Sequence, residues 1–112
     1  MLKFNFESNS FNLIVTKGEE GAAGKACSAA FYDQEKSKIF LFGGKSISGR
    51  TNDLFSFDIS NSTWEMEKPG GFIPTARSFM GSTTLENSLL VFGGQGEQIF
   101  FHLFFDLEIF QK

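Results

Sequence analysis

Few side chains in this sequence have the chemistry that catalysis or metal binding requires. The chain of 112 residues contains one histidine, His102, and one cysteine, Cys27. A catalytic nucleophile needs a base beside it, and this histidine lies within an apolar run. A transition-metal site needs several histidine or cysteine ligands. The sequence therefore predicts no enzyme activity, no metal site and no bound cofactor.

Acidic residues and glycines suggest two further kinds of site. Asp53, Asp58 and Asp106 could pair their carboxylates, but each stands at an end of a predicted strand, where aspartate commonly binds turn amides. Residues 94–96, Gly-Gln-Gly, follow a strand as a dinucleotide-binding loop would, but Ile99 stands where the third glycine belongs. We interpret both features as parts of turns.

The strongest structural signal is an apolar run that ends in two glycines and occurs twice, at residues 38–44 and 88–94. Such a run is too short for a core helix and predicts a strand that is buried on both faces. Glycine accepts a positive φ and a close backbone contact, so each doublet marks a bulge or a sharp turn.

Matches outside the doublets indicate a repeat. Trp64 follows Phe57 at the same distance as Phe11 follows Phe4, and residues 106–111 resemble the strand that contains Phe57. A unit that recurs along the chain predicts a repeat fold. We predict an all-β chain built from units of four antiparallel strands, A to D. The predicted strands are 25–32 and 77–84 (A), 38–44 and 88–94 (B), 53–58 and 106–111 (C) and 63–67 (D), after a first hairpin of residues 2–6 and 11–15.

Composition and charge limit the function classes. The net charge is −3 and the basic residues are scattered, so no basic stripe is present to follow a phosphate backbone. The N-terminus alternates apolar and polar residues, unlike a signal peptide, and no apolar run approaches the roughly 20 residues of a membrane span. A lone cysteine favours a reducing compartment. We predict a cytoplasmic protein that binds neither nucleic acid nor membrane.

The sequence resembles kelch repeats. The resemblance lies in the glycine doublets, in the strand of residues 52–58, in Trp64, and in Pro-Thr-Ala-Arg at residues 74–77. It implies a β-propeller, in which four-stranded blades pack face to face around an axis. It also implies that Trp64 and Arg77 pack and hydrogen-bond between neighbouring strands and blades. The candidate structural markers are Gly43, Gly44, Asp53, Asp58, Trp64, Arg77, Gly93 and Gly94.

Several positions depart from the kelch pattern. Ser28 and Met80 stand where many kelch repeats have histidine in strand A, Phe11 replaces the tryptophan, and Lys25 replaces the arginine. Residues 99–105 fill the loop between strands B and C with apolar side chains. The single histidine and single cysteine argue against copper chemistry of the galactose-oxidase type, which also uses a kelch-like propeller.

The repeat boundaries imply an open piece of a propeller. Residues 1–16 are expected to form strands C and D of a preceding blade, residues 25–67 a complete blade, and residues 77–112 strands A to C of the following blade. Propellers typically close with about 4 to 8 blades, so this chain is too short to close alone. Its partners are expected to include further kelch blades, in the same chain or in another.

Loop length indicates where a partner would bind. In an up-and-down blade the B–C and D–A loops share one face, which we call the loop face, and here they are longer than the A–B and C–D turns. Binding residues concentrate in long loops on a rigid scaffold. We predict that the loop face binds a partner protein; the alternative is a non-catalytic or specificity-modifying part of a larger kelch-propeller enzyme. The candidate binding residues are Lys17, Glu19, Glu20, Lys45, Arg50, Lys68 and Phe72.

Overall fold

The part of the chain that the structure describes is all-β. The computed structural model describes residues 1–19, 24–86 and 88–96, and only the backbone of residues 104–108. These residues form no helix, and therefore no helix long and apolar enough to cross a membrane. The strands are β1 (Leu2–Asn5), β2 (Ser10–Leu13), β3 (Lys17–Gly18), β4 (Ala29–Asp33), β5 (Lys38–Phe42), β6 (Lys45–Ser46), β7 (Gly49–Arg50), β8 (Leu54–Asp58), β9 (Thr63–Glu67), β10 (Gly81–Leu85), β11 (Ser88–Phe92) and β12 (Phe104–Glu108).

The first complete sheet has the strand order of a propeller blade. Strands β4, β5, β8 and β9 are consecutive antiparallel neighbours, and they correspond to the predicted strands A to D. We call this sheet the first blade. Short polar turns join A to B and C to D. In these turns the Asp33 and Asp58 side chains accept hydrogen bonds from the amides of Glu35 and Ser60, which stabilises each turn. The prediction of an all-β fold with open antiparallel sheets is confirmed.

The second blade consists of β10, β11 and β12, which also pair antiparallel in chain order. Phe92 pairs with Phe104 as Phe42 pairs with Leu54. Residues 106–108 of the predicted strand C lie in β12, but the strand begins two residues earlier than predicted, at Phe104. Strands B and C pair in the same register in both blades: Leu89 pairs with Leu107 as Ile39 pairs with Phe57. The counterpart of Phe57 is therefore Leu107 and not Phe110. Phe110 and residues 99–103 lie outside the described residues.

The hydrophobic core lies between the two blades. Alternate residues of β5, Phe40 and Phe42, pack in one cluster with Leu89 and Val91, which alternate in the same way on β11. Each of these side chains is at most 2% exposed. Burying a large aliphatic or aromatic side chain contributes about 1.5–3 kcal/mol. The contact between the blades is therefore a main source of stability.

The chain before the first blade differs from the prediction. Residues 17–24, between the predicted first hairpin and the predicted strand A, were expected to form a D–A loop. Instead, β3 pairs in parallel with β9, with Lys17 opposite Thr63. The expectation of a loop is thus wrong for residues 17–18. These residues extend the blade at its outer edge, where they supply hydrogen bonds to the otherwise unpaired side of β9.

Candidate functional site

The glycine doublets have the same backbone conformation in both blades. The φ angles are 65° and 101° at Gly43 and Gly44, and 67° and 100° at Gly93 and Gly94. The amide of Gly44 donates a 2.8 Å hydrogen bond to the carbonyl oxygen of Arg77. A Cβ atom added at Gly43 would lie 2.7 Å from that same oxygen. The first doublet therefore brings the backbone of the second blade into direct contact with the end of β5.

Arg77 is fully buried between the blades. Its Nη1 donates to the carbonyl oxygen of Gly93 at 3.1 Å, its Nε donates to the carbonyl oxygen of Thr75 at 3.0 Å, and its Nη2 donates to Thr75 Oγ1 at 3.1 Å. Burial lowers the pKa of Arg77. These bonds fix the segment before β10 to the second doublet.

Lys25 occupies the position in the first blade that Arg77 occupies in the second, since Ala26 pairs with Lys45 as Ser78 pairs with Gln95. Its side chain is 6% exposed, and its Nζ lies 3.8 Å from Asp53 Oδ2 and 4.2 Å from the ring centroid of Phe55. Among the described residues the Nζ atom has no hydrogen-bond partner. Burial lowers the pKa of Lys25, an effect that Asp53 opposes.

The two remaining markers, Trp64 and Asp58, lie at the outer half of the first blade. The Trp64 ring packs on Phe57 with centroids 4.8 Å apart, and the Phe4 and Phe11 rings of the first hairpin lie 4.9 Å apart. Asp58 Oδ1 accepts hydrogen bonds from the Ser60 hydroxyl and amide, and the hydroxyl contributes most to lowering the pKa of Asp58. Both markers therefore stabilise the C–D hairpin.

The B–C loop of the first blade is a hairpin on the loop face, formed by β6 and β7. Lys45 is exposed, and its backbone exchanges two hydrogen bonds with Ala26, of 2.8 and 2.9 Å. Arg50 is half-buried. Its Nε donates a 2.9 Å hydrogen bond to Ser78 Oγ of the second blade. Arg50 thus connects the blades, while Lys45 faces solvent.

The other candidate binding residues do not share one place. Lys68 and Phe72 lie in the D–A loop after β9, and both are exposed. Lys17 and Glu19 lie along the outer edge of the first blade, where the Lys17 amide binds the carbonyl oxygen of Ser62 in the C–D turn. The expectation that these two residues share the loop face with Lys45 is wrong. Glu20 lies outside the described residues.

Metal-binding geometry is not found in the parts of the chain that the structure describes. Within residues 1–19, 24–86 and 88–96, no three histidine, cysteine, aspartate or glutamate side chains are grouped so that they could hold an ion.

Comparison with known proteins identifies the family of this chain. A family model described as the KLHDC2/KLHL20/DRC7 Kelch-repeats domain matches residues 1–111. The chain belongs to the kelch-repeat family. The blade architecture, the paired glycine doublets and the buried Arg77 are thus features of a kelch-repeat chain.

Individual relatives align with parts of this kelch-repeat chain. Human Host cell factor 1 is 41% identical over 63 residues, which cover 55% of this chain and 3% of the relative. Kelch repeat-containing protein 2 of Saccharomyces cerevisiae is 31% identical over 99 residues, which cover 82% of this chain and 11% of the relative. Human Kelch domain-containing protein 2 is 30% identical over 98 residues, which cover 83% of this chain and 23% of the relative. The chain therefore spans less than a quarter of the length of these relatives.

Two surface features of the kelch-repeat chain were missed by reasoning from its sequence. Ile47 is fully exposed at the tip of the β6–β7 hairpin, and Ile73 is partly exposed beside Phe72. The available signal was an aliphatic residue inside an otherwise polar loop. Such a residue is either buried by the loop or presented to solvent, and the sequence pattern does not distinguish the two outcomes.

Proposed function

We propose that this kelch-repeat chain is part of a cytoplasmic protein-interaction module, and that its loop face holds a partner protein. Kelch repeats are generally protein-interaction modules. In this chain the longer loops connect strands of two blades that pack on a shared core. Functional residues concentrate in loops that a rigid scaffold positions. The lone Cys27 supports the cytoplasmic location.

The observation that carries this proposal is the geometry of the β6–β7 hairpin. Its base is tied to Ala26 in its own blade and to Ser78 in the next blade, so its conformation is fixed on both sides. Its outer surface nevertheless presents a cation, Lys45, and a fully exposed aliphatic side chain, Ile47. A preorganised loop loses little conformational entropy when a partner binds.

We also propose that a further kelch blade covers the β1–β2 hairpin. Phe4 pairs with Phe11 as Phe57 pairs with Trp64, but Phe57 is 2% exposed whereas Phe4 is 36% and Phe11 is 68% exposed. The hairpin also exposes Leu2, Leu13 and Val15. Such a continuous apolar surface indicates a partner surface. In a complete blade, strands A and B would extend this hairpin edge to edge, and the face of a neighbouring blade, from the same chain or from another, would cover its apolar side chains.

Partner capture with matched variants tests the loop face. The Lys45→Glu/Ile47→Ser double variant changes two exposed side chains without touching the hydrogen bonds that anchor the hairpin. Its control is Lys36→Glu/Ile59→Ser, on the A–B and C–D turns at the opposite face. We expect cross-linked partners to be lost from the first variant and kept by the second, at equal melting temperatures. Equal capture by both variants would contradict the proposal.

A further inference from the structure

Residues 17–19 cover part of the outer edge of the first blade, and we call them the edge strap. In the strand order of this sheet β3 lies outside β9, so β9 would be the last strand without it. The amide of Lys17 donates a 3.0 Å hydrogen bond to the carbonyl oxygen of Ser62. The amide of Glu19 donates a 3.0 Å hydrogen bond to the carbonyl oxygen of Trp64. The edge strap therefore occupies backbone acceptors at the first half of β9.

Gly18 allows the edge strap to lie this close to β9. Its φ is 89°, a conformation that favours glycine. A Cβ atom added at Gly18 would overlap the carbonyl oxygen of Trp64 and would also lie 3.0 Å from Thr63 Cγ2. A residue with a side chain at this position must move the strap away from the strand. The pairing of β3 with β9 thus depends on glycine at this position.

The strand beneath the edge strap is suited to pairing with another chain. β9 has the sequence Thr-Trp-Glu-Met-Glu, which contains β-forming side chains, and Met66 is 48% exposed. In an antiparallel pair the amide and the carbonyl group of one residue point to the same side of the strand. Because the Trp64 carbonyl group points to the strap, Trp64 and Met66 direct their backbone groups away from β8. Such a row of outward groups is a template for strand pairing between chains.

The edge strap presents a much poorer template to solvent. β3 is only two residues long, and Lys17 and Glu19 are both exposed. Short edge strands and charged side chains are the usual means by which natural sheets avoid pairing at their edges. Beyond the strap, β9 carries Glu65, whose side chain is 58% exposed, and Glu67. The apolar half of β9 is therefore covered, and the other half is charged.

We propose that the edge strap prevents the first blade from pairing edge to edge with a second copy of the chain. Two β9 strands related by a twofold axis run antiparallel, so the same edge on each copy is complementary to itself. The strap blocks this contact because it already binds the Trp64 carbonyl oxygen. This role is separate from the binding function proposed for the loop face.

Release of the edge strap tests the proposal. Gly18→Ala is compared with Gly24→Ala, since Gly24 has a φ of 71° and no described atom within 4 Å of an added Cβ. Hydrogen exchange at the amides of Lys17 and Glu19 should become about tenfold faster in Gly18→Ala only, as expected for the loss of one hydrogen bond. Unchanged exchange in Gly18→Ala would contradict the role of Gly18.

Self-association is measured with the full chain by sedimentation velocity over a range of concentrations. We expect the dimer dissociation constant of Gly18→Ala to be about tenfold lower than that of Gly24→Ala. Glu19→Pro removes the donor of the bond to Trp64 and leaves Gly18 in place, so it should have the same effect. Faster exchange of the strap amides with no change in the dissociation constant would overturn the proposal.

A second substitution shows whether the new dimers form through β9. Met66→Pro removes an amide hydrogen that points away from β8, and proline is tolerated at such edge positions. The double variant Gly18→Ala/Met66→Pro should return to the dissociation constant of Gly24→Ala. Met66→Lys, which adds a charge to the edge strand, should act in the same direction if the proline variant does not fold. Dimers that persist in both double variants would use another surface and would overturn the proposal.

Discussion

Ser28 Oγ donates a 3.0 Å hydrogen bond to the carbonyl oxygen of Gly43. In the second blade the equivalent carbonyl oxygen, of Gly93, is bound by Arg77 Nη1. Two departures from the kelch pattern are thereby connected. In the first blade Lys25 stands where the second blade has the arginine. The hydrogen bond to the doublet carbonyl oxygen comes instead from Ser28, which stands where many kelch repeats have histidine.

Removing the Ser28 hydroxyl should destabilise the first blade at the end of β5. Ser28→Ala leaves the Gly43 carbonyl oxygen without this donor, and we expect the free energy of unfolding to fall by about 1 kcal/mol. Urea denaturation followed by tryptophan fluorescence measures the change. Ser82→Ala, at an exposed position of β10, is the control and should change stability little. Equal effects of the two substitutions would show that the Ser28 bond has no special role.

Replacing the buried amine of Lys25 should stabilise the fold. The amine is buried and has no hydrogen-bond partner within the described part of the chain, so Lys25→Met removes a desolvation cost while keeping the apolar contact with Phe55. We expect a gain of about 1 kcal/mol, because an apolar replacement of a buried charge is commonly neutral or stabilising. Lys3→Met on exposed β1 is the control. A loss of stability in Lys25→Met would show that the interaction with Asp53 outweighs burial.

The same lysine gives a pH dependence with a definite sign. Burial lowers the pKa of Lys25 below its ordinary value of 10.5, so the unfolded chain binds more protons than the folded chain between the two pKa values. Stability should therefore rise with pH across that window, up to about pH 10.5. The difference in unfolding free energy between Lys25→Met and the unchanged chain should shrink over the same range. A constant difference would contradict burial of the charged amine.

A methyl group at Gly43 should disrupt the contact between the blades. The Cβ of Gly43→Ala would lie 2.7 Å from the backbone oxygen of Arg77, at a φ of 65°. Gly71→Ala is a matched control, since Gly71 has a φ of 73° and no described atom within 4 Å of the added Cβ. Positive φ alone costs about 1–2 kcal/mol, so we expect that loss for Gly71→Ala. We expect more than about 3 kcal/mol for Gly43→Ala, measured by urea denaturation.

Acidification should weaken the C–D turn through Asp58. Hydrogen bonds from Ser60 lower the pKa of Asp58, so its contribution to stability is present above its unfolded value of 3.8 and is lost as the pH falls through the folded value. Asp58→Asn should show a smaller loss of stability than the unchanged chain between about pH 5 and pH 2. Glu35→Gln, on the exposed A–B turn, is the control. Parallel pH profiles for Asp58→Asn and the unchanged chain would contradict this role.

Local pattern predicted the central strands well. The apolar runs that end in glycine doublets became β5 and β11, and residues 63–67 became β9 with the same bounds. These elements depend on alternation, on β-forming side chains and on glycine, all of which act over a few residues. Strand C of the second blade was misplaced because Phe110 resembles Phe57 in sequence, whereas pairing is decided by the register along the whole strand.

The sequence by itself determined that this chain is a repeated antiparallel sheet, because apolar runs and glycine doublets specify strands and their ends locally. Only the tertiary structure decided which donor satisfies each doublet carbonyl, that Lys25 is buried, and that residues 17–18 extend the first blade. These outcomes depend on contacts between residues far apart in the chain. Their free energies are set by distance, burial and competing partners, which a local pattern does not contain.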